Sequence, residues 1–159
     1  MITIYKILTP IDFDIHGIKS MEFGEPDIAA LKYGCEFASR FDSELHVLHV
    51  VQNTTEIEMC THEAEQAEKK ILNDLLIEPL NPKVKVLRDV RKGRPHVEII
   101  KYAKEHSIDL IIMGTHGRKP LPHLLLGSEA EQTVRKAPCP VLVVRHPEHE
   151  FVLGGVQKI

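Results

Sequence analysis

Five short apolar runs, separated by polar or glycine-bearing breaks and by stretches of helical spacing, organise this chain of 159 residues. Ile2 to Ile11, rich in Ile, Leu, Tyr and Thr, reads as a buried strand, which places Asp12 at its carboxyl end. Residues 13–26 carry Gly17, Gly24 and Pro26 and read as a long loop. Helix is expected from about Asp27, with Ile28, Leu31, Gly34 or Cys35, Ala38 and Phe41 on one face. Glu44 to Val51 is the second strand. Thr55 and Glu58 then have capping-box spacing, and Cys60, Ala64, Ala67, Ile71 and Leu75 keep one helical face until Pro79 and Pro82. Val84, Val86 and Arg88 alternate with Lys85 and Leu87 in a third strand, and Gly93-Arg94-Pro95 turns the chain into a helix running to about His106. Ile108 to Met113, interrupted only by Asp109, is the fourth strand. Ser128-Glu129-Ala130-Glu131 again has capping-box spacing and opens a short helix to Lys136; Pro138 and Pro140 stop it, and Val141 to Val144 is the fifth strand.

Helix-length segments between apolar strands imply parallel pairing with right-handed crossovers. The expected fold is an α/β open, doubly wound, Rossmann-like sheet of five parallel strands with helices on both faces. Ligands of such sheets sit at the carboxyl ends of the strands, where the winding reverses. Asp12 and Gly114 line one crevice if the first strand lies beside the fourth, an adjacency the pattern alone does not supply. Residues 1–146 are read as a single domain and 147–159 as a C-terminal tail, apolar only around Phe151-Val152-Leu153.

The composition is that of an ordinary globular chain, 43% apolar and 27% charged. A net charge of −3 offers no general attraction to nucleic acid. Cys35, Cys60 and Cys139 are odd in number and far apart, which points to a reducing compartment rather than a disulfide framework. There is no basic segment followed by an apolar core at the N-terminus, and no apolar run of about 18 residues. The expectation is therefore a soluble cytoplasmic protein without membrane partners.

Candidate chemistry concentrates between Met113 and Ser128. Gly114 and Gly117 by themselves read as turn glycines; a second pair, Gly127-Ser128, at the mouth of a helix shifts the reading to a phosphate-holding loop, because backbone N–H groups at a helix N-terminus attract anions. Ser128 has an alternative role that needs no ligand, as a helix cap worth about 1 kcal/mol. Asp12 reads either as a ligand contact or as a loop carboxylate bonded to nearby backbone. Glu129 suits an empty helix N-terminus, and it repels phosphate if its side chain turns towards the loop. Arg118 and Lys119 either offset that charge or are solvated. Asp14, His16 and Glu22, in the long loop, either shape the crevice, take a Mg2+ with the phosphates, or are plain surface. His46 and His49 lie three apart on a strand and so face opposite sides, and His146 and His149 lack a third ligand, so no metal site is expected. Cys139 sits between two prolines and reads as structural, and no catalytic triad order or Walker Gly-Lys-Ser/Thr is present.

Gly114-x2-Gly117-x9-Gly127-Ser128, with Ile7-Leu8-Thr9-Pro10-Ile11-Asp12, Asp109 to Arg118 and Ala137 to Arg145 around it, resembles the universal stress protein (UspA) family over roughly residues 2–145. The resemblance implies strand order 3-2-1-4-5 and an adenine nucleotide, ATP or else ADP or AMP, with or without Mg2+. It implies that Asp12 meets the nucleoside and that backbone near Val47 meets the adenine edge. Met113 and Gly114 would flank the sugar and first phosphate, while Gly117, Gly127 and Ser128 wrap the phosphates and Glu129 and Ala130 offer N–H groups. Pro10 and His116 complete the implied set. A homodimer through Val141 to Val144 is implied as well. The expected function is a small nucleotide-binding regulator of stress responses, at most a slow ATPase and with no catalytic residue. The alternative is a nucleotide-independent homodimeric interaction module of the same fold. A ligase or nucleotidyl transferase ranks last, since neither an SGGxDS-like nor an HxGH-like motif occurs.

Overall fold

A computed structural model describes residues 1–15, 21–23, 25–52, 83–115 and 126–145, together with Gln66 and Lys70. Five strands form one parallel sheet: β1 (Lys6–Ile11), β4 (Glu44–Val51), β5 (Val86–Lys92), β6 (Leu110–Gly114) and β7 (Val141–Val144), in the order β5-β4-β1-β6-β7. Taken as the first to fifth strands of the sheet, this is 3-2-1-4-5, the expected open α/β arrangement. The helices are α1 (Glu25–Phe41), α2 (Pro95–Glu105) and α3 (Ser128–Lys136). The expected helix between Thr55 and Leu75 lies outside the described residues, apart from helical Gln66 and Lys70.

Alternate residues of the central strands serve the two faces of the sheet, which explains why β1 and β6 read as largely apolar runs. Ile7, Leu45, Val47 and Ile112 pack with Ala30 and Ala38 of α1. Leu8, Leu48 and Ile111 pack with Ile99 and Tyr102 of α2 and Ala130 of α3. Asp109, the polar interruption, lies just ahead of β6, and its carboxylate accepts the backbone N–H groups of Tyr5 (2.8 Å) and Lys6 (3.0 Å). Arg91 ties β5 to α2 through Glu105 at 2.7 Å and lies 4.7 Å over the Tyr102 ring.

Four expectations change. The stretch after β1 is not wholly loop: β2 (Phe13–Ile15) and β3 (Met21–Phe23) pair antiparallel. The first strand begins at Lys6, while Met1 and Ile2 are exposed. The third strand runs on to Lys92, because Val90 is buried and pairs with His49. The buried stripe of α1 is Asp27, Ala30, Gly34 and Ala38, whereas Ile28 and Phe41 face outward. The stripe rotates because small residues let α1 approach closely: a Cβ on Gly34 would stand 2.5 Å from Thr9 Oγ1. Gly93, with φ +146°, makes the turn from β5 into α2. Among the described residues no helix is long and apolar enough to cross a membrane.

Candidate functional site

The winding reverses between β1 and β6, and the carboxyl ends of both strands open at the same side of the sheet. Ile7 is opposite Leu110, and the same offset sets Asp12 level with Thr115. The adjacency of Asp12 and the end of β6 is thus built by the pairing of two central strands. Pro10 is buried, level with Leu48 of β4, and Asp12 is half-buried at the strand end. Val47 sits lower. It is fully buried in mid-strand, paired with Thr9 on one side and Arg88 on the other.

The other wall is made by the exit from β6. Met113 and Thr115 are buried, and Thr115 donates its N–H to Val144 O at 3.0 Å. Gly127 donates its N–H to Thr115 O at 2.7 Å. This bond brings the mouth of α3 back to the strand end although 11 residues intervene in sequence. His116 and Gly117, both expected in the site, lie outside the described residues, as do Arg118, Lys119 and His16. Side chains of Asp14 and Glu22 are likewise outside them.

Ser128 is not the helix cap. Gly127 is, with extended backbone (φ −67°, ψ 155°), and its carbonyl accepts the N–H of Glu131 at 2.9 Å. Because the helical ladder already starts at Gly127, Ser128 becomes the first helical residue and is exposed. Among the described residues no side chain caps α3, and the N–H groups of its first turn have no acceptor within the helix. Ala130, in the same turn, is buried against the sheet with Leu8, Leu48 and Ile111.

Glu129 turns away from this turn. Its Oε2 accepts the backbone N–H of His96 at 2.8 Å and lies 2.7 Å from His96 Nδ1. A carboxylate acceptor requires that Nδ1 carry the proton. Arg94, the N-cap of α2, supplies no side-chain cap, so Glu129 caps α2 from the neighbouring helix. The acid at the awkward position is therefore engaged by one helix N-terminus while following the other. His96 was invisible as a partner in the sequence, because 33 residues separate the pair.

Two further polar groups occupy the β1 end of the crevice. Asp27, in the first turn of α1, is buried, and its Oδ2 accepts the Asp12 N–H at 2.9 Å. Burial pushes its carboxyl up to about 7; the Asp12 N–H bond works against this rise and the nearby Asp12 charge adds to it. His49 is buried, with Nδ1 3.1 Å from Ile11 O. His46 occupies the opposite face, 2.8 Å from Tyr102 Oη, so the two histidines do point apart. The only sequence hint of Asp27 was an acid following Pro26 at a helix start.

Burial raises the Cys35 thiol to about 11 and moves Cys139 upward too, with the Asp109 charge adding to the latter, so neither is a ready thiolate at neutral pH. Among the described residues no group of three or more His, Cys, Asp or Glu is placed to hold a metal ion. Among the described residues the strand ends bring together backbone donors, two aspartates, Asp12 and Asp27, and the buried His49.

The sequence profile of the Universal stress protein family matches residues 6–145, from the first residue of β1 to just past β7. The chain belongs to the universal stress protein family. Universal stress protein MJ0531 of Methanocaldococcus jannaschii is 33% identical over 135 residues, covering 77% of this chain and 77% of that protein. Universal stress protein MJ0577 of the same organism is 34% identical over 135 residues, covering 82% and 74% respectively. The solved structure of MJ0577 superposes with a TM-score of 0.64, covering 91% of this chain and 97% of that one. A universal stress protein crystallised in complex with cAMP shares the fold, with a TM-score of 0.62 over 91% of this chain and 99% of its own, at 16% identity.

Proposed function

We propose that this universal stress protein binds an adenine nucleotide, ATP, ADP or AMP, with or without Mg2+, and acts as a nucleotide-responsive regulator in the cytoplasm. The observation that carries this reading is the Gly127 N–H bond to Thr115 O, which sets the first turn of α3 beside the end of β6, the strand end level with Asp12. Backbone donors at a helix N-terminus suit phosphates. The cAMP complex of a protein with the same fold supports the adenine-nucleotide class. In this reading Asp12 meets the ribose or adenine, Met113 and Gly114 border the sugar, and Gly117, Gly127, Ser128, Glu129 and Ala130 surround the phosphates. Pro10, Val47 and His116 line the remainder. Because Val47 is paired on both sides, it serves as floor more readily than as an adenine partner.

Hydrolysis is slow or absent in this reading, since Asp12, Asp27 and His49 stand at the β1 end of the crevice, which the reading gives to the nucleoside and not to the phosphates. Residues 1–146 form the binding domain and 147–159 a tail. β7 is an edge strand whose Val141, Leu142 and Val143 are only half-buried, and a second copy of the chain pairing there would remove the edge. Sedimentation at micromolar concentration is expected to give a dimer; a monomer throughout that range removes this assignment.

The deciding experiment is mass analysis of nucleotide released on denaturing the purified protein, paired with thermal melts. A ligand that binds only the folded chain raises the melting temperature, by roughly 2.7 kcal/mol of added stability at a hundredfold excess over Kd. A flat melting curve at millimolar ATP with Mg2+, with no nucleotide released, would favour a dimeric module that works without nucleotide.

A further inference from the structure

We infer that His96 is a positioning residue that holds the Glu129 carboxylate out of the phosphate end of the crevice. This rests on the nucleotide reading above. Three features carry it. Glu129 is the second residue of α3, inside the very turn whose N–H groups lack helical acceptors. Its carboxylate is 43% exposed, and His96 is its only partner among the described residues. The His96 side chain is held at 16% exposure, so the acceptor of the latch is fixed by a packed ring rather than by a mobile surface group.

The physics of the released state makes His96 matter. An acidic side chain in a first helical turn is drawn to that helix's own N-terminus. Without the His96 ring, the Glu129 carboxylate keeps only the backbone N–H of residue 96 at α2, and it is drawn in part to the competing N–H groups of α3. There it occupies the donors a phosphate needs and adds a like charge beside it. With His96 present, α2 and α3 divide the available charge: the protein's own carboxylate satisfies α2, and α3 is left for the ligand.

The test is titration calorimetry of the full chain with adenosine and with ATP, for wild type, His96→Ala, Glu129→Gln and the double variant. His96→Ala should weaken ATP about tenfold, the scale of one like charge brought within about 8 Å of the phosphates in a screened surface environment. Adenosine, which has no phosphate, should change less than about twofold. The double variant should regain ATP affinity, because a neutral amide does not repel phosphate. His96→Asn, which places a donor where Nδ1 stands, should stay within about threefold of wild type and covers the case in which His96→Ala fails to fold. Equal losses for adenosine and ATP, or a loss that persists in the double variant, would overturn the positioning role. Wild type that binds neither ligand overturns the nucleotide reading itself, and the latch as a device for ligand binding falls with it.

Discussion

Gly34 is where the fold can be broken by adding one carbon. It lies in the middle of α1 against the central strand, and a Cβ there would stand 2.5 Å from Thr9 Oγ1 and 3.1 Å from Leu45 Cδ1. The leucine methyl is the end of a flexible side chain and can yield. Thr9 is fully buried on β1 and cannot. Helix propensity favours alanine over glycine by about 1 kcal/mol. Overpacking a close-packed interior costs about 1–3 kcal/mol, and a rigid contact this short belongs at the upper end. Gly34→Ala should therefore lose about 1–2 kcal/mol net, or several degrees in Tm for a domain of this size. The sharper test uses Thr9, whose Oγ1 has no hydrogen-bond partner among the described residues. Thr9→Ala gives up roughly 1 kcal/mol of methyl burial but also removes an unsatisfied hydroxyl whose burial costs about 1–3 kcal/mol. It should be near neutral. In the Thr9→Ala background the Gly34→Ala penalty should disappear, giving a coupling of about 2 kcal/mol between the two sites. Urea unfolding of the four proteins measures it. A Gly34→Ala protein as stable as wild type, or a penalty unchanged by Thr9→Ala, would refute the close-approach argument.

Asp27, with its carboxyl at about 7 in the folded chain against 3.8 for the free group, keeps its proton through a range in which the unfolded chain has lost it. Stability from this group should therefore fall as pH rises from about 4 to about 7 and level off above, and Asp27→Asn should flatten the slope and gain on the order of a few kcal/mol at pH 8. Urea unfolding of both proteins across that range is the check, and parallel profiles would count against it. His46 works in the other direction. Burial chiefly, with repulsion from His106 and against the pull of Glu44, lowers its pKa below 6.5, so stability should drop as pH falls below that value, and His46→Gln should reduce the drop. Tyr102→Phe strips His46 Nδ1 of its 2.8 Å partner and should cost about 1–3 kcal/mol in the same assay.

The strands were legible because β1, β4 and β6 are buried on both faces or nearly so and write themselves as mostly apolar runs, while β7, half-buried at the edge, is short but wholly aliphatic. Their order needed more than periodicity: apolar runs do not say which neighbour they pair with, and the resemblance carried by Gly114, Gly117 and Gly127-Ser128 supplied it. The face of α1 differs from the expected one only at its ends. The middle of the expected stripe, Leu31, Gly34, Cys35 and Ala38, does face the core, but Ile28 and Phe41 at its ends do not; Asp27 and Ala30 are buried instead, and Gly34 sets the close approach to Thr9. The cap of α3 was displaced by one residue for a similar reason. Ser128 matches a capping box by spacing, but the long-range bond from Gly127 to Thr115 starts the helix earlier.

Long-range polar partners were the part the sequence hides. Asp27 with Asp12, and Glu129 with His96, join groups 15 and 33 residues apart, and neither follows from helical or strand spacing. Together they change how the crevice is understood. Two helix N-termini, those of α2 and α3, stand within reach of one glutamate. Each begins with N–H groups that have no acceptor within the helix, and such donors draw acceptors from elsewhere. If Glu129 capped its own helix, both the donors and the electrostatic attraction for an anion at α3 would be consumed. Because it caps α2 instead, the acid that seemed to argue against phosphate becomes compatible with it. In the nucleotide reading the direction of this side chain therefore counts for more than its charge, and that direction is set from α2, by the backbone N–H and the ring of His96 together.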